Sequence, residues 1–120
     1  MTINSFKDLI AWQKSADFAV DIYKEFSFCR DYCFRDQIQR ASISISNNIA
    51  EGFARKSEKS FVHFLYIAKG SAAEVESMLI VAEKLGYINK SKQAEYLERV
   101  TEIQKIITGL QKTINPTTKN

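Results

Sequence analysis

One proline, four glycines, two cysteines, one histidine and one tryptophan are all that this 120-residue chain contains of those types. So little proline and glycine leaves few turn positions and favours long helices joined by short loops. The two cysteines, Cys29 and Cys33, are four apart and would share one helix face. Zinc sites need about four ligands, and His63 is the sole histidine, so free thiols are the better reading than a metal site. A structural disulfide is also disfavoured in a reducing compartment. No stretch approaches the roughly 18–20 apolar residues needed to span a bilayer. Met1 to Ser5 lack the basic start and apolar core of an export signal, so a cytoplasmic protein without a membrane partner is expected.

Chemistry is thinly provided for. His63 has no nucleophile and orienting acid beside it. The carboxylate metal motif of helical bundles needs Glu-x-x-His, and Ser60 stands where the glutamate should be. No glycine loop of the phosphate-cradling kind is present. We therefore expect no catalytic residue, no cofactor and no small-molecule substrate. Charge of neither sign dominates: 17 basic against 14 acidic residues give +3 and a pI near 8.9. That balance permits an anionic partner without demanding one. Assembly of several copies would sum their basic faces into one field.

What is present is a core and a pattern. At 45% apolar and 26% charged, the composition suits one folded domain with its own core. Ser5 followed by Asp8 is a capping box that opens a first helix. Phe6, Leu9, Gln13, Ala16, Val20 and Tyr23 step by three and four along one face of it. Trp12, Phe18 and Ile22 lie off that stripe, so the helix is apolar on more than one side. We assign those three to a subunit interface, because one bundle core would not hide both faces.

The second helix runs from about Asp31 to Glu51, with Gly52 as its stop. Ala41 to Ser46 alternates apolar and hydroxyl residues as a strand would. Phe34, Ile38, Ala41, Ile45 and Ile49 extend a helical stripe through it, and no other segment offers a pairing strand. The third helix spaces Phe61, Phe64, Leu65, Ala68, Ala72, Val75, Leu79, Ala82 and Leu85 at threes and fours before Gly86 closes it. Gly70 to Ala73 would let a neighbouring backbone come close, which would justify a mid-helix glycine costing roughly 1 kcal/mol relative to alanine. A fourth helix begins near Asn89 or Ser91 and carries Leu97, Val100, Gln104, Ile107, Leu110 and Ile114. The expected fold is an all-α, antiparallel, up-down-up-down four-helix bundle over residues 1–115, with a polar tail over 116–120.

Three blocks point to a family. They are Phe6-x-x-Leu9-x-x-Trp12-Gln13-Lys14, then Ser44-Ile45-x-Asn47-Asn48-Ile49-Ala50-Glu51-Gly52, then Ala68-x-Gly70-Ser71-Ala72-x-Glu74 with Leu85-Gly86-Tyr87. In this order the chain resembles, over residues 5–113, the four-helix-bundle proteins encoded in intervening sequences of bacterial large-subunit rRNA genes. That family is often labelled a small ribosomal protein. The accessory variability determinant of diversity-generating retroelements is similar. The resemblance implies a four-helix bundle and a ring-shaped homopentamer. Its retroelement branch further implies a basic outer surface that engages a reverse transcriptase and RNA. One departure is the segment before the second helix, where the family often has proline and this chain has Ser27-Phe28-Cys29-Arg30.

Two groups of residues are candidates for function. Arg30, Arg35, Arg55, Lys56 and Lys59 bracket the second helix at both ends and would contact RNA phosphates. The competing reading is a solvated surface interleaved with Asp31, Asp36 and Glu58. Lys7 and Lys14 share a face of the first helix and would add to the patch. Arg40, Asn47, Asn48, Glu51 and Glu74 are better read as a polar network at a helix or subunit contact, with Arg40 meeting Glu51 or Glu74. Trp12, Tyr23, Tyr32, Tyr66 and Tyr87 offer rings for base stacking, although bundles commonly use such residues as core. The expected function is a non-enzymatic oligomeric scaffold presenting a basic surface to RNA or to an RNA-handling protein. The alternative is a protein-interaction module with no nucleic-acid role.

Overall fold

Four helices, each apolar along one side, close around a single core in the computed structural model, which describes residues 3–114. They are α1 (Ile10–Glu25), α2 (Tyr32–Ala54), α3 (Glu58–Lys84) and α4 (Lys90–Ile114). Polar pairs between neighbours fix the antiparallel register. Gln37 reaches Glu74 and Ser44 meets Ser71 across α2 and α3. Glu25 meets Tyr96 and Asp21 meets Arg99 across α1 and α4. In both pairings one chain number rises as the other falls. Helices adjacent in sequence pack together and α4 closes on α1, which is the up-down-up-down bundle. The expected boundary at residue 115 and the polar tail over 116–120 lie outside the described residues.

The ends of the helices follow local chemistry. Ser5 and Asp8 do form the capping box, but on a 3-10 turn over Phe6–Asp8; Leu9 is extended, and α1 starts at Ile10. Lys7 is thus on that turn and not on a face of α1 with Lys14. Asp31 caps α2 by accepting from the Phe34 amide at 3.1 Å. Ser57 caps α3 by accepting from the Ser60 amide. Gly86 closes the end of α3 at φ 80, a region open to glycine at little cost.

Gly52 is a correction. It does not stop α2, which continues to Ala54; it is buried inside the helix where α3 crosses. A Cβ there would lie 2.7 Å from Phe64 Cβ and 3.1 Å from Phe61 Cδ1. The glycine therefore permits the α2–α3 corner to close. The left-handed residue that turns the chain is Lys56, at φ 57. Gly70 is the reverse case. A Cβ there would meet nothing within 4 Å, so packing inside the protomer is not its reason.

The inward face of α1 also differs from the expected stripe. Ala11, Ser15, Phe18, Ala19 and Ile22 are buried, while Val20 and Tyr23 are exposed. Phe18 and Ile22 are therefore core residues, not a subunit interface. Phe18 packs edge-on against Tyr96 at 6.2 Å and lies 5.5 Å beneath the Arg99 guanidinium. Three of these five residues are small, so the stripe is less conspicuous in the sequence than the larger Val20 and Tyr23. Trp12 is half-buried, its ring edge-on to Phe6 at 5.1 Å.

The hydroxyl-rich stretch of α2 is helical throughout. Ser42 and Ser46 are buried and donate to their own helix, at the Gln39 and Ile43 carbonyls, 2.8 and 3.1 Å away. Such local bonds let a serine line a core without an orphaned hydroxyl.

Candidate nucleic-acid interface

The five cations proposed for phosphate contact fall into two groups, one at each end of α2. With 23 residues at about 1.5 Å each, those ends are roughly 35 Å apart. At the first end Arg30 is exposed in the α1–α2 loop. Arg35 lies within 2.9 Å of Asp36, and its guanidinium sits 4.8 Å from the Tyr32 ring centre. At the second end Arg55 pairs with Glu51 at 2.8 Å and covers the Phe64 ring at 5.0 Å. Lys56 and Lys59 are exposed beside it. Among the described residues, Arg30, Lys56 and Lys59 make no ion pair within 4 Å. Of the five, those three are the most available to a phosphate. Lys14 lies 3.5 Å from Glu102 and is less so.

The polar network expected around Arg40 is not assembled as one unit. Ile38 and Ala41 face the core, and a residue two positions from Ile38 is turned about 200° away from it. Arg40 and Asn47 accordingly lie on the exposed side of α2. Glu51 is taken by Arg55 on the same helix. The remaining members form a seam between α2 and α3. Gln37 Nε2 donates to Glu74 at 3.2 Å, and the Ser44 and Ser71 hydroxyls lie 2.9 Å apart. Asn48 donates to the Ser44 carbonyl and hydroxyl at 2.8 and 2.9 Å. No positive charge is needed there.

Two tyrosines pin the first end of the bundle. Tyr87, in the α3–α4 loop, donates to Asp31 Oδ2 at 2.7 Å and so ties that loop to the cap of α2. This bond, then the Phe34 amide, holds the Asp31 carboxyl below its ordinary value, with burial opposing. The same bond pushes the Tyr87 phenol up. Tyr96 donates to Glu25 at 3.0 Å, and burial, then that bond, pushes its phenol up as well. Arg99 lies beside it, bonded to Asp21 at 2.9 Å.

The rings proposed for stacking divide in the same way. Trp12 and Tyr87 are half-buried in contacts of their own chain, whereas Tyr32 is 62% exposed and Tyr66 63%. The residue missed was Phe28, whose ring is 94% exposed at the tip of the α1–α2 loop. Its signal in the sequence was an aromatic inside a short connection between two helices, followed closely by Arg30.

A second surface is apolar. The outer side of α3 carries Tyr66, Ile67, Gly70, Ala73, Ser77, Ile80 and Val81, all exposed, with Glu74 between Ile67 and Val81 and Lys84 at its C-terminal end. No other helix among the described residues packs over it. The thiols are free, Cys29 half-buried and Cys33 exposed, and among the described residues no three metal-ligating side chains converge. No helix among them is long and apolar enough to cross a membrane.

Comparison with known proteins places this geometry. Residues 7–109 match the family model described as 23S rRNA-intervening sequence protein. A crystal structure of a protein of unknown function from the S23 ribosomal protein family of Bacteroides thetaiotaomicron superposes with a TM-score of 0.80. It is 30% identical, and the match covers 86% of this chain and 99% of that one. No curated protein matches. These findings support the rRNA-intervening-sequence side of the resemblance; its retroelement side draws no support from them.

Proposed function

Because this chain belongs to the 23S rRNA-intervening sequence protein family, we propose that it is a non-enzymatic adaptor whose copies assemble side by side and present their basic ends to RNA. The observation that carries the reading is the outer side of α3. Tyr66, Gly70, Ala73, Ser77 and Ile80 recur at steps of four and three, so a nearly uncharged, exposed ridge runs along the helix. Solvent gives no reason to keep Gly70 there, since alanine would favour the helix by about 1 kcal/mol. A neighbouring copy approaching closely at Gly70 supplies one. Side-by-side contact in a closed ring also repeats Arg30 around one rim and Lys56 and Lys59 around the other, multiplying a modest charge into a field at each. The homopentamer implied by the resemblance is the assembly we expect, in the cytoplasm. An RNA-handling protein of the reverse-transcriptase kind is an alternative bearer of the same RNA.

Titration of a labelled structured RNA at two salt concentrations, with light scattering of the same sample, tests this. We expect a multiple of the 13.7 kDa protomer mass, and binding that weakens steeply with salt, as phosphate contacts do. An assembled protein that ignores RNA at low salt would support the protein-interaction module instead. A lone protomer that ignores RNA would overturn the adaptor reading.

A further inference from the structure

Phe28 is the most exposed large apolar side chain among the described residues, at 94%. It shares an open cavity of about 320 Å³ with Glu25, Cys29, Arg30 and Tyr87. The charges around it are unevenly used. Asp31 accepts from the Tyr87 hydroxyl and the Phe34 amide, and Glu25 accepts from the Tyr96 hydroxyl. Arg30, by contrast, makes no ion pair within 4 Å among the described residues. A bare aromatic face thus shares its cavity with one unclaimed cation, Arg30, on a loop held from below by the Tyr87–Asp31 bond.

We infer that Phe28 is a stacking platform for an unpaired base of single-stranded RNA, with Arg30 taking the adjoining phosphate. This rests on the RNA-binding reading above and gives it a substrate class. An apolar partner surface would cover the ring but strand Arg30 without a counter-charge. A nucleotide satisfies both groups, because every base has a flat face and a phosphate beside it. Duplex RNA keeps its base faces stacked inside and cannot use the ring.

The test compares the full chain with Phe28→Ala and Phe28→Trp by anisotropy on three labelled probes. These are an oligoadenylate of about 12 nucleotides, an abasic strand of equal length, and an RNA duplex, the length being within a single-strand site size. We expect Phe28→Ala to weaken oligoadenylate binding at least ~5-fold while leaving the other two within about twofold, as loss of one base stack implies. Phe28→Trp should keep the affinity, and its added emission should be quenched by oligoadenylate and not by the abasic strand. Equal losses on all three probes, or none on oligoadenylate, overturn the inference. So does a fall in oligomer mass for Phe28→Ala, which would place the ring in a protein contact. Wild type that binds no RNA at low salt defeats the underlying RNA reading, and that failure is visible before any substitution is made.

Discussion

Replacing Gly52 with alanine pits two effects of known size against each other. Alanine favours a helix interior by about 1 kcal/mol over glycine, which alone would stabilise α2. The added Cβ, however, would lie 2.7 Å from Phe64 Cβ and 3.1 Å from Phe61 Cδ1. Carbon atoms prefer separations of roughly 3.5–4.0 Å. Phe64 Cβ is fixed to its own backbone, so relief requires α3 to move outward by about 1 Å, opening a corner where Phe53 and Phe61 pack edge to face at 5.8 Å. Overpacking of this kind costs about 1–3 kcal/mol, and here the backbone anchor puts it toward the upper end. The net expectation is a loss of about 1–2 kcal/mol, read as a fall of roughly 4–8 °C in Tm by thermal circular dichroism. Gly109→Ala, in α4, meets nothing within 4 Å and isolates the helix-propensity gain, so its Tm should rise. A Gly52→Ala protein as stable as wild type, or more so, would refute the packing role assigned to this glycine.

Two further substitutions probe groups the fold strains or ties. The Ser15 hydroxyl is fully buried with no hydrogen-bond partner, so Ser15→Ala should raise stability by about 1 kcal/mol in urea unfolding; a loss of that size would point to a partner such as a buried water. Tyr87→Phe should flatten the acid side of the stability profile. Asp31 is held below its ordinary 3.8, so its contribution is present above that pH and disappears as pH falls through the lowered folded value. Without the phenol the shift shrinks, and urea midpoints measured from pH 6 downward should change less than in wild type; an unchanged slope would deny the Tyr87–Asp31 tie.

Much of this architecture is legible from residue order, because repeating steps of three and four are the direct imprint of a helix on a core. The stripes of α2 and α3 and the turn at Gly86 belong to that class. Asn89 caps the start of α4 by accepting from the Lys92 amide at 2.8 Å, another local signal. Where reading failed, the deciding fact was tertiary. The inward side of α1 is marked by Ala11, Ser15 and Ala19, whose small size says little until a neighbour is seen to fit over them. Gly52 looks like a helix stop to any local rule, and only the crossing of Phe64 reveals a packing glycine. Arg40 lies between core residues in the sequence, yet the helical turn carries it to the solvent side. Of the candidate interface, the clustering of basic residues at both ends of α2 was visible in advance. Which of them are already paired was not, since Arg35 and Arg55 meet Asp36 and Glu51 through side-chain geometry. Phe28 escaped notice because a loop aromatic has no periodicity to announce it.

Self-association through the outer side of α3 is best tested by light scattering on wild type and Gly70→Leu at matched concentration. A Cβ at this position meets nothing within 4 Å among the described residues, so helix content should be kept while the close approach between copies is lost. We predict a wild-type mass several times 13.7 kDa that falls to the protomer value in the variant. A wild type already at 13.7 kDa, or a variant that retains the full assembly, would contradict the account.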